Sequence, residues 1–233
     1  MTPKHPHAIL FDLGNTLLRE ESFDPIPGIL ALLEGLSVNP RVEVAEEIAS
    51  FIREEIRQVY AAGPEEFSFR QAMPGILERL DLDEIRSAAE IERDLFRSSA
   101  RLSLPEGVVD VLNLLKSRDI PMGIVSNAIF SGELLEETIA SHGIDGFFQF
   151  LISSADHGFR KPDRSIFDAA IEKIGASRED TWFVGDSWSN DVIGASKSGL
   201  TPFWLHAEDN PAPDATVHHR IRRWKDFQRF LET

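Results

Sequence analysis

Short, nearly continuous apolar runs recur along the chain and alternate with stretches of helical periodicity. Such runs are typical of strands buried on both faces, because helices cover both sides of a parallel sheet. The alternation predicts an α/β fold with a doubly wound parallel sheet. The predicted strands are residues 8–13, 120–125, 148–152, 181–184 and 201–205.

One long segment, residues 19–101, breaks this alternation. It contains no strand-like run, and its apolar residues recur at spacings of three and four, as on one face of a helix. We therefore predict an all-helical domain inserted into a core made of residues 1–18 and 102–233. The clearest apolar stripe consists of Val44, Ile48, Phe51, Ile52, Ile56 and Val59.

The 233 residues carry 39 acidic and 24 basic side chains, which gives a formal net charge of -15. Because no basic surface is evident, we expect neither a nucleic acid nor a membrane as a partner. The absence of cysteine excludes disulfides and thiolate nucleophiles. Asp12 interrupts the first apolar run, and no later run has 18 apolar residues. We expect a cytoplasmic protein, either a monomer or a homodimer.

Four polar segments follow predicted strands or lie in the loops between a strand and a helix. In a parallel sheet these loops meet at the carboxyl edge of the strands, where ligands bind in open α/β folds. We expect the four segments to converge on one crevice. They are FDLGNT at 11–16, IVSNA at 124–128, RKPD at 160–163 and VGDSWSND at 184–191.

Three aspartates in these segments carry candidate chemistry. Asp12 ends the first strand, where a carboxylate can attack phosphorus or carbon, although an aspartate there can also simply cap a turn. Asp186 and Asp191 stand five residues apart around a predicted strand-to-helix turn, close enough to share a divalent cation. Oxygen ligands alone favour Mg²⁺, while capping of the following helix is the alternative interpretation.

Polar groups in the other two segments suit an anion. Ser126 and Asn127 offer a hydroxyl, an amide and backbone N–H groups after the second strand, or they form an ordinary turn. Lys161 can neutralise a phosphoryl oxygen, but a lone lysine is more often solvated at the surface. The combination of segments, and none of them alone, indicates an active site.

In this order, the four segments resemble the motifs of the haloacid dehalogenase-like hydrolase superfamily. Its members have an Asp nucleophile after the first strand, Ser or Thr after the second, Lys before the third crossover and an acidic pair after the fourth strand. The resemblance spans residues 8–205. It implies a Rossmann-like core in which the insert is a helical cap.

The resemblance implies a Mg²⁺-dependent phosphatase that acts on a small phosphorylated metabolite through an aspartyl-phosphate on Asp12. Mg²⁺ would be held by Asp12, the backbone carbonyl of Gly14, Asp186 and Asp191. The phosphoryl group would be held by Ser126, Asn127 and Lys161. A carboxylate that attacks a phosphate dianion needs positive charge between the two, which a Lys and Mg²⁺ clamp supplies.

Gly14 is a departure from the family pattern, because phosphatases of this family usually have a second aspartate there as acid and base. Loss of a general acid-base group typically costs about 10²- to 10⁴-fold in rate. His157 is our leading substitute, with Glu20 and Glu21 as further candidates. A good leaving group or slow turnover would also explain the change.

Two other functions stay open. A 2-haloacid dehalogenase also lacks the second aspartate, since a halide leaves without a proton. However, an acidic pair without metal would repel the Asp12 carboxylate, so Asp186 and Asp191 favour metal and phosphate. The third possibility is a slow or inactive protein that binds a phosphorylated ligand.

Overall fold

The central element of the protein is a six-stranded parallel sheet with the strand order β5-β4-β1-β6-β7-β8. We describe it from a computed structural model, in which residues 5–35, 41–79 and 86–231 are described. The sheet confirms the predicted α/β class, and it adds a short edge strand, β8, that the apolar pattern did not reveal. The strands are β1 (Ala8–Phe11), β4 (Met122–Ser126), β5 (Leu151–Ser153), β6 (Thr181–Gly185), β7 (Thr201–Leu205) and β8 (His219–Ile221).

Both faces of the sheet are buried under helices. Along β1, Ile9 and Phe11 belong to one hydrophobic cluster, whereas Ala8 and Leu10 belong to a second. This division explains the uninterrupted apolar run, since each face of the strand needs apolar side chains. The helices of this part are α5 (Val108–Ser117), α6 (Gly132–Ser141), α7 (Ser154–His157), α8 (Arg164–Ile174), α9 (Ile193–Lys197) and α10 (Trp224–Leu231).

The insert at residues 19–101 is largely helical, but the prediction that it contains no strand is wrong. Strands β2 (Arg19–Phe23) and β3 (Ala100–Ser103) pair as an antiparallel ribbon where the chain enters and leaves the insert. All five residues of β2 are exposed, so its sequence, REESF, lacks the apolar alternation that reveals a strand. The helices are α1 (Pro25–Gly35), α2 (Val42–Ala62), α3 (Phe69–Arg79) and α4 (Ala88–Ser99).

The domain boundaries at 18/19 and 101/102 stay a prediction. Residues 36–40 and 80–85 of the insert lie outside the described residues. Across the described ranges, no helix combines the length and the apolar character needed to cross a membrane.

Two buried carboxylates of the insert contact the core. Glu66 accepts hydrogen bonds from Ser154 Oγ at 2.7 Å and from Tyr60 OH at 2.5 Å. Glu92 accepts from Ser131 Oγ at 2.7 Å and from the Ser131 N–H at 2.8 Å. Both carboxylates are thus stabilised by hydrogen bonds as they leave water. They fix the insert against the loops that follow β4 and β5.

Candidate active site

The first, second and fourth predicted polar segments meet at the carboxyl ends of β1, β4 and β6, and the Lys161 loop joins them. These strands are neighbours in the sheet, and the direction of strand addition reverses beside β1. Ligands bind at such a reversal in open α/β folds. Asp12 follows β1 directly and is only 7% exposed, and its N–H donates to the Val184 carbonyl of β6 at 2.9 Å.

A buried lysine connects the segments. Lys161 is 1% exposed, and its Nζ donates to Asp12 Oδ1 at 2.7 Å and to the Val125 carbonyl at 2.8 Å. The same Nζ lies 2.7 Å from Asp191 Oδ1. Burial alone would lower the pKa of Lys161, but the carboxylates of Asp12 and Asp191 raise it above its ordinary value. The ammonium group therefore stays charged.

The Asn127 side chain fixes the backbone of Lys161. Its Oδ1 accepts from the Lys161 N–H at 2.7 Å, and its Nδ2 donates to the Lys161 carbonyl at 2.9 Å. Both ends of the Asn127 amide are therefore bonded to the backbone of Lys161. The family resemblance implies that Asn127 contacts the phosphoryl group, whereas its side chain lies against the backbone of Lys161, the residue that would contact phosphate. Ser126, at the end of β4, faces a pocket beside Gly14.

Three carboxylates converge next to Lys161, which suits a divalent cation. One oxygen from each of Asp12, Asp186 and Asp191 lies within 4.8 Å of the others. Asp191 is held against the backbone, because a Cβ at Gly185 would collide with its side chain and its Oδ2 accepts from the Ser187 N–H at 2.9 Å. Its Oδ1 is buried beside the Lys161 ammonium group. We call Asp12, Lys161, Asp186 and Asp191 the charged cluster.

The charged cluster contains three carboxylates and one ammonium group, so it holds more negative charge than Lys161 compensates. Burial, with added repulsion from Asp12 and Asp191, raises the pKa of Asp186 from 3.8 to about 7. Burial likewise raises the pKa of Asp191 to about 6, although Lys161 opposes the shift. A second cation would relieve this repulsion, so the residues fit Mg²⁺.

Gly14 stands where phosphatases of the family usually have the acid and base, and His157 is the predicted substitute. A Cβ at Gly14 would meet no atom within 4 Å, so space exists there for a side chain. His157 ends α7, and its Nε2 lies 3.0 Å from Ser165 Oγ, beside the N-terminus of α8. Within the described chain, His157 is absent from the lining of the pocket beside Gly14, whereas Glu20 is present. Glu21 accepts from Ser103 Oγ at 2.6 Å within the ribbon.

The pocket beside Gly14 lies between the core and the insert and has a volume of about 330 Å³. We call it the apolar pocket, because apolar side chains form most of its wall. Of the pocket's contributors from the insert, Glu20 was a candidate from the sequence, whereas Tyr60 and Phe96 were not, since they look like ordinary members of amphipathic helices. The wall includes Leu18, Phe23, Tyr60, Phe96, Leu102, Ile129, Phe130 and Leu135.

A second groove, of about 580 Å³, lies on the other side of Asn15 and reaches Asp186. Its lining is charged and of mixed sign. The basic residues are Arg19, His206, Arg222, Arg223 and Lys225, and the acidic ones are Glu106, Asp110 and Asp186.

The sequence model of one enzyme family, described as haloacid dehalogenase-like hydrolase, matches residues 6–199. The chain belongs to this family. The match includes all four polar segments and the insert, so the resemblance inferred from the motifs is confirmed.

Curated relatives include phosphatases and a dehalogenase. The pyrimidine 5'-nucleotidase YjjG of Escherichia coli is 32% identical over 46% of this chain and 47% of its own length. The 5-amino-6-(5-phospho-D-ribitylamino)uracil phosphatase YigB of E. coli is 26% identical over 87% of this chain and 84% of its own. An (S)-2-haloacid dehalogenase of Pseudomonas fluorescens is 23% identical over 83% and 90%. The first two relatives found are matched over less than half of their length.

Solved structures of both activities share the fold. A HAD phosphatase from Thermococcus onnurineus superimposes with a TM-score of 0.64 at 22% identity, over 96% of this chain and 97% of that one. A 2-haloacid dehalogenase from Pseudomonas syringae gives 0.66 at 21% identity, over 97% of each chain. Overall similarity thus supports the fold and does not separate the two reactions.

Proposed function

We propose that the protein is a Mg²⁺-dependent phosphate monoester hydrolase in which Asp12 is the nucleophile. The observation that carries the proposal is the charged cluster itself, in which three converging carboxylates share a single buried ammonium group. Such an excess of negative charge calls for a metal ion, and a metal ion beside a nucleophilic carboxylate suits a phosphate dianion.

The reaction proceeds in two displacements on phosphorus. An Asp12 carboxylate oxygen attacks, the bond between phosphorus and the ester oxygen breaks, and the alcohol leaves with a proton taken from the surroundings. Water then attacks the phosphorus of the acyl phosphate, releases inorganic phosphate and a proton, and returns Asp12 to a carboxylate. Lys161 holds the attacking carboxylate in place and stabilises charge on the phosphoryl oxygens.

The metal would be held by Asp12, Asp186, Asp191 and the backbone carbonyl of Gly14, and residues 19–101 would act as the cap. Bound Mg²⁺ supplies positive charge that offsets the repulsion between the carboxylates and the phosphate dianion. Ser126 would contact the phosphoryl group directly, and Asn127 would act by fixing Lys161. The cytoplasmic location and the choice between monomer and homodimer stay predictions.

A 2-haloacid dehalogenase is the second candidate, because Gly14 provides no proton donor and a dehalogenase is among the relatives. The two reactions are separated by measuring inorganic phosphate released from phosphate monoesters and chloride released from 2-chloropropionate, each with Mg²⁺ and with EDTA. We expect phosphate release that requires Mg²⁺ and is lost in Asp12→Asn. Chloride release that EDTA leaves unchanged would refute the phosphatase, and ligand binding without either product would favour the inactive binding protein.

A further inference from the structure

The apolar pocket has a nearly uncharged wall. Within the part of the chain that the structure describes, Glu20 is the one charged residue that lines it, and Arg, Lys and His are absent. Nearby arginines are already bonded: Arg160 donates to the Gly63 carbonyl at 2.8 Å, and Arg97 pairs with Glu137 at 3.2 Å. A carboxylate placed in this pocket would therefore meet a negative charge and no cation, which is costly away from water.

Aromatic rings give the pocket its shape. The ring of Phe130 packs on Phe96 with centroids 4.9 Å apart and on Phe23 with centroids 6.2 Å apart. Such edge and face contacts favour another flat ring as the occupant. The volume of about 330 Å³ is at the lower end of the range of small-molecule pockets. A pocket of this volume thus suits a small leaving group.

Tyr60 is held rigidly in this wall. Its hydroxyl donates to the buried Glu66 at 2.5 Å, and the Arg160 guanidinium lies 4.1 Å from the centre of its ring. Because the hydroxyl proton is used within the protein, Tyr60 presents its ring to the pocket and does not supply a donor for an anion.

Building on the proposed phosphatase, we propose that its substrates are phosphate monoesters whose leaving group is an uncharged aromatic or similarly flat apolar ring. The absence of a cation together with Glu20 rejects monoesters that carry a carboxylate on the leaving group. This class also fits Gly14, because an aryl oxide is a weaker base than an alkoxide and needs less help from a general acid.

The test compares phenyl phosphate with 3-carboxyphenyl phosphate, two esters of similar reactivity that differ in one carboxylate. We expect kcat/KM in Mg²⁺ to be about tenfold higher for phenyl phosphate, because the added carboxylate loses water in the apolar pocket while solvent screens the exposed Glu20. Glu20→Lys should narrow this ratio about threefold. Glu136→Gln, which removes an exposed carboxylate outside the pocket, is the control and should leave the ratio unchanged. The ratio is the readout, because a lost proton donor would slow both esters.

Binding separates this proposal from the proposed function. Phenylphosphonate and 3-carboxyphenylphosphonate cannot be hydrolysed by this route, and their binding is measured by calorimetry with Mg²⁺. If the protein hydrolyses neither ester, the proposed phosphatase is refuted. Preferential binding of phenylphosphonate would still support the pocket's selectivity. Equal or tighter binding of the carboxylated compound, or its faster hydrolysis, would overturn the selectivity and place the leaving group in the groove of mixed charge beside Asn15.

Discussion

The charged cluster and the apolar pocket lie on adjacent sides of Gly14 but are built differently. Asp12 and Asp186 follow core strands, Lys161 lies in a core loop, and Asp191 lies in a short helix, Trp188–Val192. Asp12 and Asp191 contact Lys161, and both Lys161 and Asp191 also bond to the backbone. The apolar pocket has walls from both the core and the insert. Under the proposed function, the reaction would depend on local motifs of the core, whereas the choice of substrate would depend on how the insert packs on the core.

The largest effect is expected from loss of the Lys161 ammonium group, which should slow the reaction while ligand binding in the apolar pocket is retained. Lys161→Met leaves Asp12 and Asp191 without their shared partner and removes a charge that would stabilise phosphoryl oxygens. We expect kcat to fall about 10²- to 10³-fold, as for other electrostatic groups at reacting centres, while phenylphosphonate still binds the apolar pocket. Initial rates and calorimetry provide the measurements. Lys197→Met is the exposed control, and a kcat within threefold of the wild type would contradict the role of Lys161.

The contact between insert and core can be broken at Glu92. Glu92→Ala leaves Arg70 and Ser131 without their buried acceptor, so we expect the free energy of unfolding to drop by about 2–3 kcal/mol. Because the pocket walls then lose their alignment, KM for phenyl phosphate should rise more than kcat falls. Urea unfolding and steady-state kinetics measure both effects. Glu136→Ala is the matched exposed control, and an unchanged stability would show that Glu92 does not fix the insert.

A carboxyl group introduced at position 14 tests whether a general acid there increases the rate. Gly14→Asp places a carboxyl group where a Cβ meets no other atom within 4 Å. We expect the rate on alkyl phosphates to rise about 10- to 10²-fold, which is the lower range for a general acid, with a smaller gain on aryl phosphates. Rates plotted against the pKa of the leaving alcohol give the test. An equal gain on all esters would argue against proton transfer from this position.

The smallest effect concerns the repulsion within the charged cluster. Because the pKa of Asp186 is raised to about 7, the folded protein binds more protons than the unfolded chain between about pH 4 and pH 7. Stability without metal therefore falls as pH rises through that window and is lowest above it. Asp186→Asn should raise the free energy of unfolding by about 1 kcal/mol at pH 8, after allowance for solvent screening, and not at pH 4.

Thermal unfolding in EDTA at the two pH values measures this gain. Mg²⁺ should stabilise the wild type at pH 8 but not the variant, which has lost one carboxylate ligand. Equal stability of both proteins in EDTA at pH 8 would contradict the raised pKa. Stabilisation of both by Mg²⁺ would show that Asp186 is not needed to bind the metal.

The sequence was most informative where function depends on a strand end. Asp12, Ser126 and Asp186 each follow an apolar strand, so the order of motifs alone predicts that they meet. Lys161 could be predicted as a member of the site, but its complete burial could not, because burial of a lysine requires carboxylates from distant segments.

Other features depended on tertiary contacts. Asn127 faces the Lys161 backbone and not an open anion site, which a motif cannot reveal. Every residue of β2 is exposed and most are charged, so the strand shows no apolar alternation, and β3 is only four residues long and largely half-buried. Tyr60 lies 46 residues from Gly14 along the chain, and it is joined to the core through Glu66, which binds both Tyr60 and Ser154.

Chemical trapping of the intermediate tests the central claim most directly. The protein is mixed with ³²P-labelled phenyl phosphate and Mg²⁺, quenched in acid within milliseconds and digested, and the labelled peptide is identified. Since Gly14 provides no base to activate water, the acyl phosphate should accumulate, with label on the peptide that contains Asp12 and none in Asp12→Asn or in EDTA. Steady release of phosphate with no labelled peptide would contradict nucleophilic attack by Asp12. Undiminished release of phosphate by Asp12→Asn would contradict it as well.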